Sequence, residues 1–241
     1  MDKVCLEQLN KQSAQPSNHP TLFDQGRIMK LYDYYRSTAS YRVRIALNFK
    51  NINYETLAVH LVNNGGEQHD TNYLKLNPQG LVPTLDENGH ILSQSLAIIE
   101  YLEDISPTPA LLPQNPLGRA QVRSLALIIA CDLHPLNNLR VLQQLRQQFQ
   151  ATELQINEWY HHWLKQGFNA IEERLKNLPR KNHVCYGHEI SLADICLVPQ
   201  VYNAKRFNFP MNDYPLINKI NDYCLTIDAF IDAAPKVVLN P

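Results

Sequence analysis

The feature that most constrains this chain is a change of hydrophobic rhythm at a proline-rich junction, residues 106 to 117. Upstream of it, short segments alternate between strand-like and helix-like. Leu31 to Tyr35 reads as a strand, Ser40 to Lys50 as a helix, and Tyr54 to Val62 as a second strand rich in β-formers. Gly65-Gly66 and Asn77-Pro78-Gln79-Gly80 are breakers. Leu81 to Leu85 and His90 to Leu92 then flank the turn Asp86-Glu87-Asn88-Gly89 as a hairpin. Ser95 to Ile105 reads as a helix, closed by Ser106-Pro107-Thr108-Pro109. The order β-α-β then β-β-α predicts a small mixed sheet with helices, an α/β unit over residues 29 to 112.

Beyond Pro113 and Pro116 the rhythm is helical throughout. Val122, Leu125, Ile129 and Leu133 mark one apolar face, and Ile156, Trp159, Trp163, Ile171 and Leu175 another. An all-α unit is therefore expected over residues 118 to 241, joined by a linker in which proline disfavours helix. Residues 1 to 28 are polar and lack a sustained apolar period, a composition poor at burying surface. They are expected to be a flexible extension, or the product of a start codon placed too early, ahead of an ordered fold that begins near Met29.

A net charge of −1 provides no global field to attract nucleic acid or an anionic membrane, so neither is expected as a partner. No apolar run approaches the roughly 20 residues of a membrane span, and the N-terminus lacks the apolar core of a signal peptide. These points predict a cytoplasmic protein. Five cysteines, with no C-x-x-C pair and no metal-ligand spacing, predict reduced thiols, some of them in the core, and no metal site. The adjacent His161 and His162 point about 100° apart on a helix, which suits a surface pair rather than a shared ligand position.

Three places carry candidate chemistry. Arg36-Ser37-Thr38-Ala39-Ser40 lies where a strand turns into a helix, so free amides and the positive helix end converge beside small hydroxyls. That junction suits an anion or a thiolate, although Ser37 and Thr38 serve equally as helix caps. Val82-Pro83 interrupts a strand; a cis bond there leaves the backbone of Val82 open to an extended peptide ligand. Gln94-Ser95 opens a helix and makes a second anion site suited to a carboxylate, with Ser95 as a simple N-cap the alternative. In contrast, Ser191 and Asp194 have the spacing of a capping box with Ile190 and Ile195 as a staple, a folding feature.

The run Arg36-Ser37-Thr38-Ala39-Ser40-Tyr41-Arg42-Val43-Arg44-Ile45-Ala46-Leu47 resembles the hallmark of the zeta-class glutathione transferases, the maleylacetoacetate isomerases. Asn77 to Leu85, Gln94 to Leu102, His134 to Leu142 and Leu197 to Phe207 extend the resemblance, which covers residues 29 to about 235. It implies a thioredoxin-like N-terminal domain followed by an all-helical glutathione-transferase domain, a homodimer, and glutathione as cofactor. It also implies roles for particular residues. Ser37 would hydrogen-bond the glutathione thiolate with Thr38 beside it, and Val82 before cis-Pro83 would pair with the cysteinyl backbone. Gln94 and Ser95 would hold the γ-glutamyl end. Arg206 matches a basic residue of the substrate pocket, and Arg36 is a candidate for the second carboxylate of a small keto diacid. His134 and Asn138, four apart on a helix that Pro135 bends, could line the pocket floor, Asn138 toward the cofactor and His134 toward the substrate, or form a polar interdomain pair.

One departure matters: many relatives of this type carry cysteine where this chain has Ala39. The sulfur must then come from glutathione, whose thiol pKa a helix N-terminus can lower from about 8.5 toward 3.5 to 7.5. The implied reaction is cis-trans isomerisation of maleylacetoacetate by reversible thiolate addition. A maleylpyruvate isomerase or general transferase on the same scaffold is the closest alternative; Leu139 adds no basic group for a second diacid type. A non-catalytic glutathione-binding or partner-binding protein is the alternative of another class.

Overall fold

A computed structural model describes residues 29 to 181 and 183 to 236. The expectation for residues 1 to 28 lies outside the described residues. The α/β unit is as predicted in order and type. Strands β1 (Met29–Asp33), β2 (Tyr54–Ala58), β3 (Thr84–Glu87) and β4 (His90–Ser93) form one sheet in the order β2-β1-β3-β4. β1 runs parallel to β2 through the crossover helix α1 (Thr38–Phe49), and antiparallel to β3; β3 and β4 make the predicted hairpin, with Glu87 opposite His90. Asn88 and Gly89 turn it at positive φ, the backbone such two-residue turns require.

Three strand boundaries differ from expectation. β1 ends at Asp33, because Tyr34 already turns toward the helix and accepts the Ser37 N–H at 2.8 Å. β2 ends at Ala58 rather than Val62, with two short 3-10 turns following at Asn63–Gly65 and Glu67–His69. Leu81, Val82 and Pro83 lie outside β3, since the Val82-Pro83 bond is cis. A short helix not expected from the sequence, α2 (Thr71–Leu76), is N-capped by the Asp70 side chain. Helix α3 (Ser95–Ile105) matches its prediction.

The remainder is helical: α4 (Pro116–Leu127), a π-helical turn (Ile128–Leu133), α5 (His134–Leu136), α6 (Leu139–Phe149), α7 (Glu153–Asn177), α8 (Leu192–Arg206), α9 (Pro215–Cys224) and α10 (Asp228–Ala233). Val122, Leu125, Ile129 and Leu133 are all buried, as are Ile156, Ile171 and Leu175. Trp159 and Trp163 are only partly buried and meet edge to face. The helical run Pro116–Phe149 is long and apolar enough, by length and composition, to cross a membrane, contrary to the expectation from the sequence. Val122, Leu125, Ala126, Ile129, Leu133 and Leu142 of this run face the core, Leu117, Leu127 and Phe149 are exposed, and Asn138 interrupts it as the N-cap of α6.

One core runs from Leu31, Ile45 and Leu85 of the sheet unit to Leu125, Leu164 and Phe230 of the helical unit. Helix α1 is buried nearly all round, with α3 on one side and α8 and α10 on others. Its Tyr41 hydroxyl donates to the Phe230 carbonyl at 3.2 Å and its Arg44 Nε to the Ala233 carbonyl at 2.9 Å. Arg44 also grips both carboxylate oxygens of buried Asp33, at 2.6 and 2.8 Å. α8 is started by the predicted Ser191/Asp194 box, and the fully buried Asp194 additionally accepts the Cys185 N–H at 2.7 Å. Cys185, Cys196 and Cys224 are core residues whose thiols burial pushes up, whereas Cys131 is exposed. The histidine pair is not wholly superficial. His162 is exposed, but His161 is half-buried, 2.8 Å from the Phe207 carbonyl and edge-on to Phe209.

Candidate active site

A cleft of about 280 Å³ lies between the two units, with the loop before β3 and the starts of α1 and α3 on one side and the π turn, α5 and α6 on the other. Val82, Pro83, Gln94, Ser95, His134 and Asn138 line it together. The cis Val82-Pro83 segment is pinned from behind. The Leu81 carbonyl accepts from the Tyr73 hydroxyl at 2.6 Å and from Asn77 Nδ2 at 2.8 Å, and Gly80 closes the preceding turn at φ +59. Val82's own N–H and C=O have no hydrogen-bond partner among the described residues, although its side chain is buried. Such a pair of free groups on a fixed segment is what an extended peptide needs for strand-like pairing.

The start of α3 differs in detail from the expected Ser95 cap. Gln94 holds the N-cap position, at φ +70, and Ser95 is the first helical residue. A non-glycine residue in that region stores about 1 to 3 kcal/mol of strain. The turn aims both side chains at the cleft, and Gln94 Nε2 is steadied by Gln79 Oε1 at 2.8 Å.

Ser37 is the N-cap of α1: its Oγ accepts the Ser40 N–H at 3.2 Å. The amides of Thr38 and Ala39 have no partner among the described residues, so two donors and the helix dipole remain for an anion. Ala39 lines the cleft, while Ser37, Thr38, Arg36 and Arg206 are not part of its lining. Buried Thr38 places its hydroxyl 2.8 Å from His134 Nδ1, joining the two units. His134 Nε2 lies 3.5 Å from Asn138 Nδ2, so the two residues meet even though they belong to different helices and not to the single bent one expected. Burial lowers His134 from 6.5 to about 3, with the charges of Arg42 and Arg140 acting in the same direction. Its ring is therefore neutral at physiological pH.

Arg36 and Arg206 come from different units and both are exposed. Each is braced by an aromatic ring, Tyr35 at 5.1 Å and Phe207 at 4.9 Å. Burial raises the Tyr34 phenol, and the charges of Arg36 and Arg206 act against that rise. Arg206 ends α8, where the helix dipole favours a cation, and the adjoining Phe207 stacks on Tyr160 of α7 at 3.7 Å.

Two cations of the cleft were not singled out in the sequence. Arg140 sits at its rim, and Arg42 is fully buried at its floor. The signal for Arg42 was a charged residue amid the apolar Tyr41, Val43 and Ile45 of a helix. No aspartate or glutamate lines the cleft among the described residues, so its field is cationic. A larger groove of about 820 Å³ beside Leu57, Gly66 and Tyr73 contains none of these candidate residues and no arginine or lysine.

A cleft of this polarity at the junction of such a sheet unit and a helical unit defines the glutathione-transferase class. The family model for the glutathione S-transferase N-terminal domain matches residues 31–110. A probable maleylacetoacetate isomerase of Vibrio cholerae is 48% identical over 206 residues, 86% of this chain and 95% of that protein. A holo structure of maleyl pyruvate isomerase, a bacterial zeta-class glutathione S-transferase, aligns with a TM-score of 0.84 and 47% identity, covering 88% of this chain and 99% of that one. The maleylacetoacetate isomerase of Anaeromyxobacter dehalogenans, with dicarboxyethyl glutathione and citrate bound in its active site, aligns with a TM-score of 0.77 and 33% identity over 90% of this chain and 96% of that one. The chain belongs to the maleylacetoacetate isomerase family, the zeta class of the glutathione transferases.

Proposed function

We propose that this protein isomerises maleylacetoacetate to fumarylacetoacetate with glutathione as cofactor. The observation that carries the reading is a cleft with two arginines, no carboxylate and an unpaired Val82 backbone, which fits a short anionic peptide. When bound, glutathione supplies a thiolate that adds to the cis double bond, allows rotation about the resulting single bond, and leaves. The chain's share is to bind, orient and stabilise charge.

Val82 would pair with the cysteinyl backbone beside Pro83, while Gln94 and Ser95 would hold the γ-glutamyl end. Asn138 would approach from the helical side. Ser37 Oγ, already accepting the Ser40 amide, keeps its own proton to donate to a thiolate, and the Thr38 and Ala39 amides add to the positive potential there. Thr38 works through position: its hydroxyl ties the start of α1 to His134. His134, being neutral, would present the substrate with a ring edge rather than a charge. Arg36 and Arg206 would take the carboxylates of the substrate and the enolate oxygen. The identity of Ala39 leaves no protein thiol at the helix start, so the chain offers no sulfur of its own there.

We further read residues 29–112 and 118–241 as the two domains of a cytoplasmic homodimer. The likeness to a maleyl pyruvate isomerase keeps maleylpyruvate as a second substrate reading. Mixing the protein with glutathione and maleylacetone, and following loss of the cis-enone absorbance, tests the activity. Turnover that requires glutathione is expected, and its absence would sink the isomerase in favour of a binding protein. Parallel assay with maleylpyruvate ranks the two substrates by kcat/KM.

A further inference from the structure

Arg42 is the least explained residue of the molecule. It is 1% exposed, among the largest fully buried side chains, and lies on α1 beneath the cleft. Of its donors, one nitrogen reaches Ser95 Oγ at 3.4 Å, while Nε and the other terminal nitrogen have no partner. Among the described residues no carboxylate pairs with it. The titratable groups around it are the Cys196 and Cys131 thiols and the His134 imidazole, none of them a carboxylate, and burial lowers its pKa. The contrast with Arg44, two residues on, is informative: Arg44 is equally enclosed but grips Asp33 with two hydrogen bonds. An uncompensated buried guanidinium destabilises a fold unless another anion completes it.

We propose that Arg42 is a positioning residue for the cofactor, the buried counter-cation of the γ-glutamyl carboxylate, acting through Ser95 and through its own charge. The inference rests on the glutathione reading above. Because Arg42 donates to Ser95 Oγ, that hydroxyl is left with its own proton to give outward to a carboxylate. The guanidinium charge then reinforces the bond from behind in a site screened from water. Binding and folding are opposed at this residue: the free protein carries an unpaired charge that the ligand neutralises.

The experiment is calorimetric titration of the whole protein with glutathione and with glutathione amidated at the γ-glutamyl α-carboxyl, for wild type, Arg42→Met and Ser95→Ala. Wild type should prefer the carboxylate by about ten- to a hundredfold, the range for a charge-assisted hydrogen bond in an enclosed site. Arg42→Met should reduce that preference to below about threefold, with a raised KM for glutathione, a kcat changed far less, and an unfolding midpoint equal to or above that of wild type without ligand. Ser95→Ala should retain a clear preference, since the buried charge remains. A preference that survives Arg42→Met overturns the proposal; where the methionine variant does not fold, Arg42→Gln, equally uncharged, takes its place and the same outcome decides. Failure of wild type to bind glutathione at all refutes the functional reading instead.

Discussion

Acid should weaken this protein through His134, by an amount its surroundings set. The imidazole is held neutral, with its pKa lowered to about 3 by burial first and then by the Arg42 and Arg140 charges, whereas in the unfolded chain it returns to about 6.5. Below pH 6.5 the unfolded state therefore takes up a proton that the folded state refuses. The stability contributed by His134 is complete above that pH, and is lost as pH falls toward 3 at about 1.4 kcal/mol per unit. At pH 4.5 the loss amounts to about 2 to 3 kcal/mol. His134→Gln keeps a hydrogen-bonding partner for Thr38 but cannot titrate, so it removes this slope and leaves other groups in place. Urea unfolding of both proteins at pH 7.0, 5.5 and 4.5, at one protein concentration, should show the wild type losing stability relative to the variant by about 1 and then about 2 to 3 kcal/mol. Parallel pH curves for the two would refute the claim that a half-buried neutral imidazole joins α5 to the start of α1.

Other expectations concern the supports of the site. Ser37→Ala should lower turnover strongly and Thr38→Ala less; equal activity of Ser37→Ala and wild type removes Ser37 from the thiolate role. Arg206→Leu should raise KM for the diacid several-fold with little change in KM for glutathione, and unchanged values return Arg206 to a structural role. Asp194→Asn leaves at least one of the Cys185 and Ser191 donors facing an amide that cannot accept, and should cost about 2 to 4 kcal/mol in denaturant unfolding. Gly167→Ala drives a methyl into the side chain of buried Leu133; despite a helix-propensity gain of about 1 kcal/mol it should destabilise, and a rise in melting temperature would contradict this.

The order of elements was legible because it rests on local regularities. Strand alternation, helical spacing, the turn at Asn88-Gly89, the Ser191/Asp194 cap and the proline-rich junction each act within a few residues, so one strand of text suffices to read them. The same holds for the three candidate loops, whose residue types alone suggested anion and peptide binding. Boundaries near the site were less legible, since the cis Val82-Pro83 segment, the positive φ of Gln94 and the break at Asn138 are held by partners elsewhere in the fold. What no local pattern contains is pairing across distance. Arg42 and Arg44 look alike in the sequence, two basic residues in one helix, yet tertiary packing gives Arg44 an aspartate and leaves Arg42 without one beneath the cleft. Likewise Thr38 and His134 are 96 residues apart and meet only because the fold brings the start of α1 to the start of α5. The sequence by itself determined the order of strands and the main helices of the sheet unit, and marked three loops whose residue types suit an anion or an extended peptide. The tertiary structure decided which charges are compensated, because burial and counter-charge depend on neighbours in space rather than along the chain.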